Sequence, residues 1–470
     1  MRDCFEILHK DLAGRIGRLT TPHGTIETPA LMPVINPHLK IINPSELARI
    51  GASIIITNSY IIKKDETLRN HALERGLHDL MRFEGPIMTD SGAYQLSVYG
   101  QIDIKPLEIL EFQQDIHSDI CVPLDIPTPP YAHRKRAETE LHETERRLEE
   151  ALEHKDGSLL AGPIQGSTFP DLREEAGRFL KDKNFDVYPV GGVVPLMESY
   201  SFGDLVEVVV ASKKGLGSGV PVHLFGAGHP MVFALAVAMG CDLFDSAAYA
   251  LYARQERYLM PSGTWKLRNL KYLPCSCQVC QSYTAKEILE SQEKITLLAK
   301  HNLYVSFQEM RLVKQCISEG SMWDLLESRC RSHPKMLDAL RRLSLESEWM
   351  ERLDSSSKST FFYLGPNSSR RPEVISYGRR IGRLSLNGNV LITDDPGVDA
   401  KDFDQVLRFK PPFGPYPPEL DETYPFNAEV PKEPDQLAIE KGLQNMRRLM
   451  EANPGADFSF DLRLLSYGQR

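Results

Sequence analysis

The chain has 470 residues, with 55 Lys plus Arg against 64 Asp plus Glu, a formal charge of −9, 41% hydrophobic residues and a mean hydropathy of −0.31. Such a chain buries a full core, as one large barrel with additions or as about two to four domains, and the composition excludes disorder and fibres. No stretch approaches the ~20 apolar residues of a membrane span, and MRDCFEILHKDLAGRIGR lacks the apolar run of a signal peptide, so no membrane partner and a cytoplasmic location are expected.

In chain order, eight short apolar runs end in polar or glycine residues: LMPVIN from Leu31, SIIITNS from Ser53, PIMTDSG from Pro86, DICVPLD from Asp119, LLAGPIQG from Leu159, DVYPVGGV from Asp186, PVHLFGAG from Pro221 and DLFDSA from Asp242. They start 21 to 40 residues apart, room for a strand and a crossover helix each time. His133 to His154 reads as a charged amphipathic helix, and MVFALAVAMG as an apolar one stopped by Gly240. Continuous apolar strands alternating with helices predict a parallel sheet covered on both faces. Eight units predict a closed (β/α)8 TIM barrel of α/β class, with an open doubly wound sheet as the alternative.

A barrel concentrates its chemistry at the C-terminal ends of its strands. Polar residues gather there: Asp90 and Ser91 after the third run, Asp125 after the fourth, Gln165 after the fifth, Gly191 and Gly192 at the sixth and Asp245 after the eighth. A lone Asp after a strand is ordinarily a helix cap or turn former, but three with a glutamine at one level would converge on one mouth. Facing carboxylates are equipment for cleaving a glycosidic bond, one as nucleophile or ion stabiliser and the other as proton carrier. Gln165 and the amides of Gly192 and Val193 could read the edge of a planar base, and Tyr94 could stack on its face. Glycine there would let a flat ligand approach the main chain.

Cys275, Cys277 and Cys280 in CSCQVC are too tightly spaced for mutual disulfides and suit thiolate ligation of one ion. His301 is the expected fourth ligand, returned by a helix over AKEILESQEKITLLAK. A closed Cys3His zinc site of this kind is structural. Beside it, PSGTWKLRNLKYLP carries Lys266, Arg268 and Lys271 interleaved with Trp265 and Tyr272, a pattern that suits phosphate contact. Arg254 and Arg257, soon after Asp245, are similarly placed. Beyond about residue 345 the texture changes, which predicts a smaller α+β domain over 346–470. Within it, Arg370 to Arg383 holds five Arg and one Glu, a second candidate RNA surface.

TDSGAYQ around Asp90, LDIPTPP around Asp125, the GPIQGS and GGVV segments, FDSAAYALYAR around Asp245 and CSCQVC with its distant HN resemble the archaeal branch of the tRNA-guanine transglycosylases. The resemblance covers about residues 1–345. It implies a TIM barrel with a zinc subdomain at about 262–305, and exchange of guanine at position 15 in the D-loop of tRNA for 7-cyano-7-deazaguanine, in archaeosine biosynthesis. It further implies that Asp245 attacks the anomeric carbon while Asp90 protonates the departing guanine, although some descriptions give the Asp90 position the nucleophile's role and spacing leaves both open. Asp125, Gln165 and Gly191 to Val193 would bind the base, with Ser91 and Tyr94 lining the pocket. Arg254, Arg257, Lys266, Arg268 and Lys271 would meet tRNA, and Cys275, Cys277, Cys280 and His301 would hold zinc. A homodimer is expected by analogy, and because the sequence reads as too short for the PUA module of many archaeal members, a separate PUA-domain protein is a candidate partner. The alternatives are an archaeosine-synthase-like paralogue, a non-catalytic tRNA-binding subunit, and an ordinary nucleoside hydrolase on a similar barrel.

Overall fold

Each of the eight apolar runs forms a strand because its side chains are buried on both faces, leaving backbone pairing as the only outlet for its polar groups. In the computed structural model, which describes residues 4–39, 41–93 and 105–463, these strands are β4 (Ala30–Ile35), β5 (Ile55–Asn58), β6 (Ile87–Asp90), β7 (Ile120–Cys121), β8 (Leu159–Leu160), β9 (Tyr188–Val190), β10 (Val222–Leu224) and β11 (Leu243–Ser246). All pair in parallel, in the order β8-β7-β6-β5-β4-β11-β10-β9. Parallel bridges Ala161↔Val187 and Ile164↔Val190 join the two outer strands, so the sheet closes on itself. This is the expected barrel.

Crossover helices cover the outside. Arg134–Glu153 buries Ala137, Leu141, Thr144, Leu148 and Ala151 at helical spacing and lines its outer face with Arg–Glu pairs. Pro230–Ala238 is buried along its whole length, as MVFALAVAMG requires. Inside the cylinder, Met32, Ile56, Met88, Ile120, Val122, Ala161, Val187 and Leu243 form one core cluster. Residues two further along a strand share the same face, so Asn58, Asp90 and Asp245 continue this inward stripe at the C-terminal end.

The opposite end is closed by a sheet the sequence reading did not assign to strands: β1 (Phe5–Asp11), β2 (Gly14–Thr21) and β3 (Gly24–Thr28), all antiparallel. Its alternation is broken by Gly14, Gly17 and charged residues, so the periodic signal was weak, yet Leu19 and Ile26 complete the barrel core. Three aspartates that begin apolar runs serve here as staples. Asp119, Asp186 and Asp242 accept backbone N–H groups of Ile87, Leu160 and Val222, each at or beside the start of a neighbouring strand. Asp242 also forms a buried bidentate pair with Arg15 at 2.7 Å, and Asp119 is gripped by the stacked rings of His23 and His78. These acids tie the strand starts together.

By contact the chain divides into two units, Met1–Ser318 with Arg329–Ala339 and Glu319–Ser328 with Leu340–Arg470. The second is α+β: β14 (Gly388–Thr393), β15 (Gln405–Lys410), β16 (Gly414–Tyr416) and β17 (Ala456–Asp461) form a mixed sheet in the order β16-β15-β14-β17. The helix Gln436–Ala452, capped by Asp435, buries Ala438, Gly442, Asn445 and Leu449 along one stripe. The basic run in this unit is mostly not a free surface. Arg371 is fully buried, paired with Asp324 and Glu373 and stacked on Phe361, while Arg379 and Arg380 pair with Glu351. Glu373 lies within the run, but Asp324 and Glu351, which also neutralise these arginines, lie far from them in sequence.

Candidate active site

Asp90 ends β6, and its Oδ1 accepts Asn58 Nδ2–H at 2.8 Å and the Gly92 N–H at 2.7 Å. Asn58 itself is fixed because its Oδ1 caps the helix Ser59–Lys64 through the Ile61 N–H. Burial in the mouth pushes the Asp90 carboxyl up from 3.8 to about 7; Gly92 and Asn58 oppose the rise, and the negative fields of Asp245 and Asp125 add to it. Asp90 therefore feels both of the other carboxylates, as convergence on one rim requires.

Asp245 lies on β11, half-buried. Its Oδ1 receives Nε2 of the fully buried His223 at 2.8 Å and the Gly226 N–H at 2.7 Å. Neither Asn58 nor His223 was singled out from sequence. Both sit inside apolar strand runs, where a polar residue that faces inward is the only signal.

Asp125 and Gln165 are buried together, with Gln165 Nε2 donating to Asp125 Oδ2 at 2.6 Å. Burial lifts the Asp125 carboxyl to about 6, against the Gln165 hydrogen bond and the fields of Arg147 and Arg173. Gln165 Oε1 is buried without a partner, an acceptor aimed at nothing in the protein. Arg173, also missed in sequence, is wholly buried and donates to the carbonyls of Ser167, Ile164 and Gly191, locking the loops after β8 and β9. Burial brings its guanidinium down to about 9, with Asp125 opposing.

The glycines have a steric reason within the protein as well. A Cβ on Gly191 would lie 2.1 Å from Gln165 Nε2, and one on Gly192, at φ +70°, would lie 2.8 Å from the Thr128 carbonyl. The space they leave admits the Gln165 amide; moreover, the Gly191 N–H is already spent on Ile164 O. Gly191→Ala should therefore push Gln165 off Asp125 and lower stability by about 1.5–3 kcal/mol, the cost of one charge-assisted hydrogen bond, which thermal melts check. Val193 and Ser91 are buried, Ser91 Oγ donating to the Pro123 carbonyl at 3.3 Å. Tyr94 lies outside the described residues.

A second cluster forms next to the barrel. β12 (Arg257–Met260) and β13 (Gly263–Lys266) make a hairpin, and the cysteines follow it. The ligand atoms of Cys275, Cys277, Cys280 and His301 lie within 4.8 Å of one another. His301 is carried by the helix Lys294–Glu319, separated at Ser291–Glu293 from the shorter helix Ala285–Glu290, so the expected single helix is two. His301 Nε2 faces the Leu259 carbonyl at 3.1 Å, which leaves Nδ1 turned to the thiols of Cys277 and Cys280, and Tyr258 stacks on the ring at 3.6 Å. A Cys3His donor set with an imidazole oriented in this way fits zinc in a closed site.

Of the candidate phosphate contacts, Arg254, Lys266 and Lys271 are exposed. Arg268 is exposed but tied to Glu256 at 2.6 Å, and Arg257 is half-buried, donating to Thr264 Oγ1. The sequence segment contains no acid, but the hairpin supplies Glu256 from before it. No helix among the described residues is long and apolar enough to cross a membrane.

A family model described as TGT, Queuine tRNA-ribosyltransferase, matches residues 11–335. A protein named tRNA-guanine(15) transglycosylase from Methanosarcina barkeri is 58% identical over 461 residues, spanning 98% of this chain and 94% of its own. Proteins of the same name from Haloferax volcanii and Archaeoglobus fulgidus are 51% and 47% identical, spanning 98% and 97% of this chain and 90% and 94% of theirs. With a barrel whose mouth gathers three acids, and relatives similar along nearly its whole length, the chain belongs to the TGT family of tRNA-modifying glycosyltransferases.

Proposed function

We propose that this protein exchanges guanine at position 15 in the D-loop of tRNA for 7-cyano-7-deazaguanine through a covalent aspartyl-ribosyl intermediate, in archaeosine biosynthesis. The observation that carries the reading is the pair Asp90 and Asp245: both end inward stripes of the barrel, and each has Oδ1 pinned by two donors. Asp90, pushed up to about 7, suits a group that gives a proton to the departing guanine and takes one from the incoming base. Asp245 then attacks the anomeric carbon. The bond's free energy is kept in the intermediate, so no external energy source is needed.

Asp125, Gln165 and the backbone at Gly192 and Val193 hold the base, the unpartnered Gln165 Oε1 being an acceptor for its N–H groups. The base must leave the folded tRNA, at a cost of a few kcal/mol, which phosphate contacts at Arg254, Lys266 and Lys271 offset. Cys275, Cys277, Cys280 and His301 would hold one zinc ion that stabilises the hairpin and its helix without touching substrate. A cytoplasmic homodimer, with a separate PUA-domain protein as an additional tRNA grip, completes the proposal. Trapping tests it: incubation with tRNA, denaturation and mass analysis should find the nucleic acid attached at Asp245. Attachment at Asp90 would reverse the two roles, and exchange with no adduct at either would reject the covalent route.

A further inference from the structure

His223 has no part in the chemistry described above, yet it is the closest side chain to Asp245 for which the structure gives a contact. It sits on β10, paired in register with Leu243 of β11, and its ring is fully buried with Phe225 against it at 4.6 Å. Nε2 lies 2.8 Å from Asp245 Oδ1, whereas Nδ1 is buried and has no hydrogen-bond partner. A single ring proton is therefore best placed on Nε2, where it is donated to the carboxylate; on Nδ1 it would be buried unsatisfied. The Gly226 N–H points at the same oxygen. Both donors are on Oδ1, and neither of them engages Oδ2.

Resting on the proposed nucleophilic role of Asp245, we infer that His223 is a positioning residue that selects Oδ2 as the attacking atom and stabilises the carboxylate when the ribosyl ester breaks. In the first half-reaction Oδ2 bonds to C1′ as the C1′–N9 bond breaks, its electron pair passing to guanine, which takes the Asp90 proton. In the second, N9 of the incoming base bonds to C1′, its proton passes to Asp90, and the C1′–Oδ2 pair returns to Asp245. His223 keeps its proton throughout. Its hydrogen bond is stronger to the free carboxylate than to the ester carbonyl, so its loss should slow turnover without lowering the equilibrium share of adduct.

The test compares His223→Phe with His223→Gln, whose amide can still donate. The phenylalanine variant should exchange guanine about tenfold to a hundredfold more slowly, the loss of one hydrogen bond to a charged group. Its affinity for tRNA should match wild type, and its denaturation-resistant adduct, measured without free base, should be equal or greater. The glutamine variant should recover most of the rate. If the phenylalanine variant folds poorly, His223→Asn, with a donor too short to reach, takes its place. Equal rates in the donor and non-donor variants would overturn the inference, as would loss of rate, adduct and tRNA affinity together. Asp245→Asn run alongside separates the two levels: if it still exchanges guanine, the nucleophile reading fails; if it is inert while His223→Phe matches wild type, only the role of His223 fails.

Discussion

Asp245→Asn should abolish both adduct and base exchange, a loss of roughly 10,000-fold or more, because an amide cannot supply the attacking oxygen. Asp90→Asn should lose about 100-fold to 10,000-fold, the range for removing a general acid and base. Incorporation of labelled guanine into tRNA measures both, and exchange unaffected by either change would reject the assignment. The Asp90 variant should also change the pH profile. With a carboxyl at about 7, release of guanine slows as pH rises through 7 and acceptance of the new base slows as pH falls below it, so the wild-type profile is bell-shaped. Residual activity of Asp90→Asn should lose that shape.

Stability moves in the opposite sense. A carboxyl raised from 3.8 to about 7 in the folded state favours folding most below 3.8, and that contribution is lost as pH rises through 7. Asparagine avoids the buried charge and can still accept from Asn58 and Gly92. Asp90→Asn should therefore melt above wild type at pH 8, by a free energy on the order of 1–3 kcal/mol, with the gap closing by pH 4. Thermal melts at the two values check the sign. A group that destabilises the fold at working pH while catalysis depends on it is the expected trade at an active site.

Removing the metal should have the next largest effect, on folding. The hairpin β12–β13 is held by Asn302, whose side chain bonds the backbone of Leu259, Tyr249 and Arg257, and by His301 at the Leu259 carbonyl. Both residues stand on one helix, Lys294–Glu319, and His301 is also the proposed metal ligand. Structural zinc in small sites contributes about 10–16 kcal/mol, so chelation or Cys277→Ser should unfold this segment and lower the melting temperature by roughly 10 °C or more. Metal analysis should find one zinc per chain, and X-ray absorption three sulfurs and one nitrogen. Metal-free protein with unchanged melting would rule out the structural role. Because Arg254 and the exposed Lys266 flank the same hairpin, tRNA affinity should fall with the melt.

Much of the barrel is legible because fully buried parallel strands must read as unbroken apolar runs, and because a polar residue or a glycine ends each of them. CSCQVC is legible because ligand spacing is local. The antiparallel sheet at the other end is not, since Gly14, Gly17 and the charges around them blur the alternation that marks a strand. Arg371 is a sharper case. Next to Arg370 it reads as surface charge, but Asp324 and Glu373 turn it into a buried ion-pair hub.

The sequence alone determined the eight-unit plan, the acids at strand ends, and the tight cysteine cluster with its distant histidine. Only the tertiary structure decided what each does with its neighbours. It separated Asp119, Asp186 and Asp242, which staple strand starts, from Asp90, Asp125 and Asp245 at the rim; it showed Gly191 yielding space to Gln165; and it brought His223 to Asp245. The physical reason is that hydrogen bonds and fields act over a few ångströms in space, whereas these partners lie 19 to 227 residues apart along the chain.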